Sequence, residues 1–257
     1  MALGQLNRIL GKFDVQVRRK SYTAHSEFLE RLAVSGIPIN VIWDVGAFKG
    51  EWTKETRKYF PNTQIIMFEP NTQHNEYLNK INAEYHNVIL GKVDGEVTFY
   101  SHGGTGDSIY PEFDETLQPR SEFRKVKSRT IDSIVDTSEH IPAPDFLKLD
   151  VQGGEIDVLM GAVKTIKSIN VILLECPIVN YNWGSPNIHE YLDFMFVNNF
   201  VPFFVTEVHR LQQIVTQIDI AFISEKLFES HINSLNEVGF WESTRLKYQR
   251  SRNNYLA

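Results

Sequence analysis

The chain has 257 residues and a single cysteine, Cys176, so no intrachain disulfide can form and a reducing compartment fits. Cys176 follows an apolar run, where cysteine serves as a small buried hydrophobe. No apolar run is long enough to span a bilayer. The N-terminus lacks the continuous apolar core of a cleavable signal peptide. The expected location is therefore cytoplasmic, with at most peripheral contact at the inner membrane face. Positive charge is also short. A formal net charge of −6 argues against a general nucleic-acid binder, which needs a basic surface to neutralise phosphates. Lys12, Arg18, Arg19 and Lys20 near one end and Arg245, Lys247, Arg250 and Arg252 near the other run against that balance. They are either solvated ends or weak contacts for an anionic membrane or glycolipid. No cysteine–histidine spacing suggests zinc, and there is no internal repeat or low-complexity segment.

What is present begins with Val41-Ile42-Trp43-Asp44-Val45-Gly46-Ala47-Phe48-Lys49-Gly50, an apolar run that ends in an acid and a glycine-bearing turn. About twenty residues later a second apolar run, Ile65 to Phe68, ends in Glu69-Pro70-Asn71. Strand, tight turn, helix, strand and terminal acid is how an open α/β sheet builds a nucleoside pocket. The glycines allow close backbone approach, and Glu69 can accept hydrogen bonds from ribose hydroxyls. A nicotinamide site would need G-x-G-x-x-G, and here no third glycine follows to seat a diphosphate. Asp44 beside the turn suits a cationic ligand better, such as S-adenosylmethionine.

Strands alternate with helices along most of the chain, which predicts a doubly wound, mostly parallel α/β sheet with a late antiparallel strand. The expected division is an N-terminal helical extension over 1–39, a main domain over 40–224 and a tail over 225–257. Helices are expected at Ser26 to Ser35, Glu51 to Tyr59, Gln73 to Ala83, Glu155 to Lys167 and His189 to Asn198. Val88 to Leu90 reads as the third strand, and Asp94-Gly95 predicts a hairpin to Glu96–Tyr100. His102 to Ser108 is a glycine-rich loop able to cover a pocket, and the stretch to about Lys127 reads as an insertion or lid. Phe146 to Val151 and Val171 to Leu174 read as buried parallel strands. Phe200 to Val205 and Ile218 to Ile223 read as a terminal strand pair.

Lys148 and Asp150 share one side of their strand by period-two alternation. A lysine inside an apolar strand is costly unless paired, so a structural ion pair with an acid is one reading. Asp150 and Glu175 end successive strands, where open sheets bind ligands, so Asp44, Asp150 and Glu175 are expected along one rim. Asn180, Tyr181, Asn182 and Trp183 read either as a carbohydrate surface or as an ordinary loop. His102 and His189 are possible proton acceptors. Clustered carboxylates could hold magnesium, although no spacing requires it.

The series Asp44 to Gly50, Phe68-Glu69-Pro70-Asn71, Asp94-Gly95-Glu96-Val97, Gly106-Asp107-Ser108, Arg129-Thr130-Ile131-Asp132 and Phe146 to Glu155, with Val158-Leu159-Met160-Gly161-Ala162 and Leu173-Leu174-Glu175, resembles the FkbM-type methyltransferases. It departs at Phe48, where the family often has Asn, and at Lys92, where an acid is common. The resemblance implies a class I methyltransferase fold. It implies O-methylation of a hydroxyl by S-adenosylmethionine, commonly on sugars of surface glycans or lipopolysaccharide, or on a lipid or secondary-metabolite alcohol. A non-catalytic module that binds S-adenosylmethionine is the alternative of another class. The acceptor is expected to be a small molecule or glycan; the oligomeric state is left open. Asp150 is the first expected base, with Glu175 and His189 in reserve. The cofactor is expected against Asp44, Gly46, Ala47, Lys49, Gly50, Glu69, Pro70, Asn71, Lys92, Val93, Ser108 and Asp150.

Overall fold

The computed structural model describes residues 23–101, 106–112 and 122–234. Its seven-stranded sheet has the order β3-β2-β1-β7-β8-β10-β9. The strands are β1 (Val41–Val45), β2 (Gln64–Phe68), β3 (Glu84–His86), β7 (Phe146–Leu149), β8 (Val171–Pro177), β9 (Phe200–Leu211) and β10 (Ile214–Ser224). β10 runs antiparallel to both of its neighbours, and the strands from β3 to β8 are parallel. A second sheet of three strands, β4 (Ile89–Leu90), β6 (Glu122–Arg129) and β5 (Gly95–Ser101), stands in that order beside it.

The central strands form because they carry near-continuous apolar sequence, as strands covered on both faces must. Every residue of Phe146–Leu149 is buried, and only Val41 of Val41–Val45 is partly open. Alternation sends Trp43 and Leu147 to one face and Ile42 and Phe146 to the other, which gives two separate apolar layers. Helix α1 (Ala24–Val34) covers the second layer with Phe28, Leu29 and Leu32; its N-terminus is capped by Thr23, whose side chain accepts from the Ser26 amide. The Phe28 ring meets Phe146 edge-on at 5.9 Å. Helices α2 (Glu51–Thr56) and α3 (Asn75–Leu78) follow β1 and β2, and α4 (Ile131–Thr137) precedes β7. Helices α5 (Glu155–Met160) and α6 (Ile188–Val197) flank β8 in sequence, and α7 (Glu225–Ser234) follows β10. Among the described residues no helix is long and apolar enough to cross a membrane.

Several elements differ from the sequence reading. The third strand of the main sheet is Glu84–His86, directly after the expected helix end at Ala83, while Ile89–Leu90 pairs with β6 in the small sheet. Asp94-Gly95 makes no hairpin between β4 and β5, because both strands flank β6. Asp94 instead accepts from the Thr130 amide at 2.7 Å and the Ser133 hydroxyl at 2.8 Å, holding the start of α4. The stretch expected as a lid contains β6, and residues 113–121 lie outside the described residues. The helices after β2 and β7 are shorter than expected; a 3-10 turn at Thr72–His74 precedes the first, and a separate one at Thr165–Ser168 follows the second. The basic clusters at both ends and His102 lie outside the described residues.

The chain turns outward from β1 to β2 and β3, then returns to place β7 on the other side of β1. The carboxyl ends of β1 and β7 therefore border a topological switch point, where sheets of this kind open a crevice.

Candidate active site

A cavity of about 490 Å³ lies along those carboxyl ends. One end is bounded by β2, the small sheet and residues 106–112, and the other by β8 and the β9–β10 arm.

The floor is the turn after β1. Gly46 has φ +75°, and the amides of Gly46 and Ala47 both donate to the Phe68 carbonyl, at 2.9 and 3.1 Å. A Cβ at Gly46 would stand 1.8 Å from the Asp150 carbonyl oxygen, so the β1 and β7 turns touch through this residue. Phe48 is left-handed at φ +50°, a conformation that Asn adopts with less strain. The Phe48 ring packs edge-on against His74.

Glu69 stands at the tip of β2 and lines the cavity. Its two oxygens each accept one backbone hydrogen bond, from Phe48 N at 2.8 Å and Asn71 N at 2.7 Å. Each oxygen keeps a lone pair for a further donor. Burial raises its pKa to about 7, against the pull of those two amides. Pro70 lines the wall next to it, and Asn71 is buried just behind, donating to Asp107 at 2.8 Å. Ser108 donates to the Gln152 carbonyl at 2.7 Å, tying residues 106–112 across the cavity to the β7 turn. Phe68, Val88, Leu90, Phe99 and Ile109 make this end apolar.

At the other end a chain of amides and carboxylates lines the wall. Gln152 Nε2 donates to Asp150 at 3.0 Å and to Glu175 at 2.6 Å, and Gln217 donates to the other Glu175 oxygen. Burial, then Asp150, Glu155 and Asp219, push the Glu175 carboxyl well above the usual range. Glu155 shapes the turn between them. It accepts from the amides of Val151 and Gly153, at 2.8 and 3.0 Å, and from the Tyr191 hydroxyl, holding Gln152 and Gly153 at positive φ.

The structure gathers Gly46, Glu69, Pro70, Ser108, Asp150 and Glu175 around one cavity. It does not gather the others there. Asp44 is fully buried behind the wall, 3.0 Å from Lys148 and accepting from Thr53 at 2.7 Å. Ala47 and Gly50 shape the turn without lining the cavity; a Cβ at Gly50 would meet Ile81 at 2.0 Å. Lys49 lies over the rings of Phe48 and Tyr77. Lys92 pairs with Asp157 at 3.1 Å outside the cavity, and Val93 is exposed. His189 stands exposed at the start of α6, near Asn187, and does not line the cavity. Of the aromatic and amide loop only Tyr181 lines the cavity; Asn180 and Asn182 bond to the loop itself and to Gln152.

Gln152, Gln217 and His209 line the cavity without having been singled out in the sequence. The alternation of Gln217 and Asp219 within an apolar strand was the available signal for β10. His209 carried none, since its position depends on the β9–β10 register, in which it pairs with Gln217.

A family model described as the methyltransferase FkbM domain matches residues 44–202. Over 144 residues the chain is 24% identical to the hexuronic acid methyltransferase AglP of Haloferax volcanii, covering 53% of this chain and 55% of that protein. The chain thus spans about half the length of that curated relative. Among solved structures it is similar to an O-methyltransferase from Bacillus cereus in complex with SAH, at 11% identity and a TM-score of 0.47, covering 86% of this chain and 90% of that one. It is also similar to the O-methyltransferase TomG from Streptomyces achromogenes, at 10% identity and a TM-score of 0.46, covering 86% and 89%.

Proposed function

We propose that this chain, which belongs to the FkbM methyltransferase family, methylates a neutral hydroxyl of a sugar in glycan assembly. The methyl donor is S-adenosylmethionine. The observation that carries the reading is Glu69, a buried carboxylate at a strand tip whose oxygens are already oriented by two amides and open onto an apolar-walled cavity. Such a carboxylate suits a ribose diol, and the apolar wall suits the faces of an adenine. The close approach at Gly46 lets the β1 and β7 turns meet at the cavity floor.

When bound, the donor supplies an electrophilic methyl group on a positively charged sulfur. The lining of the cavity includes Glu69, Asp107, Asp150 and Glu175 but no lysine or arginine among the described residues, which favours a cationic ligand. Lys148 does not oppose this, because Asp44 and Asp150 hold it at 3.0 and 3.3 Å. Methyl transfer neutralises charge, so the main work of the residues is to align the reactants. Such alignment lowers barriers by about 7–11 kcal/mol in favourable cases.

The similarity to a hexuronic acid methyltransferase supports a sugar acceptor. The same acidic lining favours a neutral sugar over a uronate, whose carboxylate would stand beside Asp150 and Glu175 with Lys148 already held by Asp44 and Asp150. The amides of Gln152 and Gln217 and the ring of Tyr181 supply the mix of hydrogen-bonding and stacking groups that a sugar uses.

The test has two arms. Calorimetry with S-adenosylhomocysteine is expected to show binding that weakens in Glu69→Gln. Radiolabelled methyl transfer is then compared across methyl glycosides with neutral, amino and uronate sugars. Binding unchanged in Glu69→Gln removes the cofactor assignment, and transfer confined to uronates removes the neutral acceptor.

A further inference from the structure

We propose that His209 is the base that takes the proton from the acceptor hydroxyl, an assignment that rests on the methyl-transfer reading above. A free alcohol is a weak nucleophile, and a positioned base contributes about 10²–10⁴-fold to such a step. The carboxylates expected in that role already hold a partner on each oxygen. Asp150 has one oxygen on Gln152 at 3.0 Å and the other 3.3 Å from Lys148. Both Glu175 oxygens accept from glutamine amides. His189 stands outside the cavity.

Glu69, His74 and Asp107 line the opposite end, against β2 and residues 106–112. The end formed by β8 and the β9–β10 arm is where an acceptor can enter once a nucleoside fills the other. There His209 is the lining residue with an imidazole. Its Nε2 lies 3.6 Å from Asp219 and 3.9 Å from Glu207, on the adjoining and the same strand. At those distances the carboxylates act on the ring through charge and not through hydrogen bonds, which leaves the ring nitrogens free of a fixed partner on these two acids.

In the step, the hydroxyl O–H bond breaks and its proton passes to the imidazole. The oxygen lone pair forms the new bond to the methyl carbon, and the carbon–sulfur electron pair returns to sulfur. The products are the methyl ether, a neutral thioether and an imidazolium whose charge Asp219 and Glu207 offset.

The experiment uses the purified full chain, tritiated S-adenosylmethionine, and an extract of the source strain with this gene deleted, which holds the unmethylated acceptor. His209→Gln is expected to lower the transfer rate about 10²–10⁴-fold while leaving affinity for S-adenosylhomocysteine unchanged. His209→Ala should regain part of the rate with added imidazole, which a purely structural role would not show. Transfer by His209→Gln within about twofold of the parent overturns the proposal. So does a parent activity that a chelator abolishes and manganese restores, since the imidazole would then be a ligand and not a base. If the parent itself fails to bind S-adenosylhomocysteine, or binds it without labelling the extract, the methyl-transfer reading falls first and this assignment with it.

Discussion

Lys148 Nζ lies 3.0 Å from Asp44 Oδ1, with both side chains buried in the middle of the parallel sheet. Burial by itself would lower the lysine pKa, but Asp150 and Asp44 outweigh it and hold the ammonium charged. The pair joins β1 to β7 at the residues facing each other in the register, Asp44 and Lys148. It also anchors the turn, since Lys148 donates to the Gly46 carbonyl at 3.0 Å.

Lys148→Met should therefore be strongly destabilising, by about 3–5 kcal/mol, because it leaves Asp44 charged and buried without its partner. Urea unfolding measures the loss. Asp44→Asn combined with Lys148→Met should recover much of it, and a double variant as unstable as the single one would contradict the pairing.

Gly46→Ala is expected to cost about 3 kcal/mol or more and to abolish cofactor binding, since strain at positive φ adds to a main-chain clash. The clash is with Asp150 oxygen, 1.8 Å from the new Cβ. Thermal unfolding together with S-adenosylhomocysteine calorimetry reads both effects.

Affinity for S-adenosylhomocysteine should rise as pH increases through about 7, because burial holds the Glu69 pKa there and the role proposed for Glu69 needs the ionised form to accept the ribose hydroxyls. Glu69→Gln should bind about 10–100-fold more weakly, the equivalent of losing a hydrogen bond to a charged group. Its affinity should also lose this dependence on pH. A pH-dependent affinity that persists in the variant would place the titrating group elsewhere.

Stability has its own pH signature. Burial raises Glu155 from 4.5 to about 7, as it does Glu69, so the folded chain keeps protons that the unfolded chain has released. The stabilisation is complete below about 4.5 and is lost as pH rises through about 7. The urea midpoint should fall between pH 5 and 7.5, and the fall should be smaller in Glu155→Gln.

His189→Ala should leave transfer unchanged and alter stability by no more than about 0.5 kcal/mol, as for other surface positions. The side chain is exposed and does not line the cavity. A large loss of transfer would bring α6 into the site.

Residues whose partners are close in sequence were the legible part of the site. Gly46 and Glu69 announce themselves at the ends of apolar runs, because a strand, its turn and the next strand tip are built from local pattern. Asp44 was misplaced for a physical reason. Alternation shows that it alternates with Trp43 and Val45, but not that Lys148 on a strand about a hundred positions later neutralises it behind the wall. Asp94-Gly95 carries a strong local hairpin signal, yet Thr130 and Ser133 take the aspartate and β6 separates the two strands.

By itself the sequence determined an alternating α/β sheet, the glycine turn after its first strand and the acid at the tip of its second, because these follow from side-chain periodicity and backbone freedom at single positions. The tertiary structure decided which acids face the cavity, which are tied up in ion pairs and amide contacts, and that His209 joins them from the last pair of strands. Those outcomes depend on strand register between distant segments, and a shift of one residue there would turn each of these side chains to the opposite face.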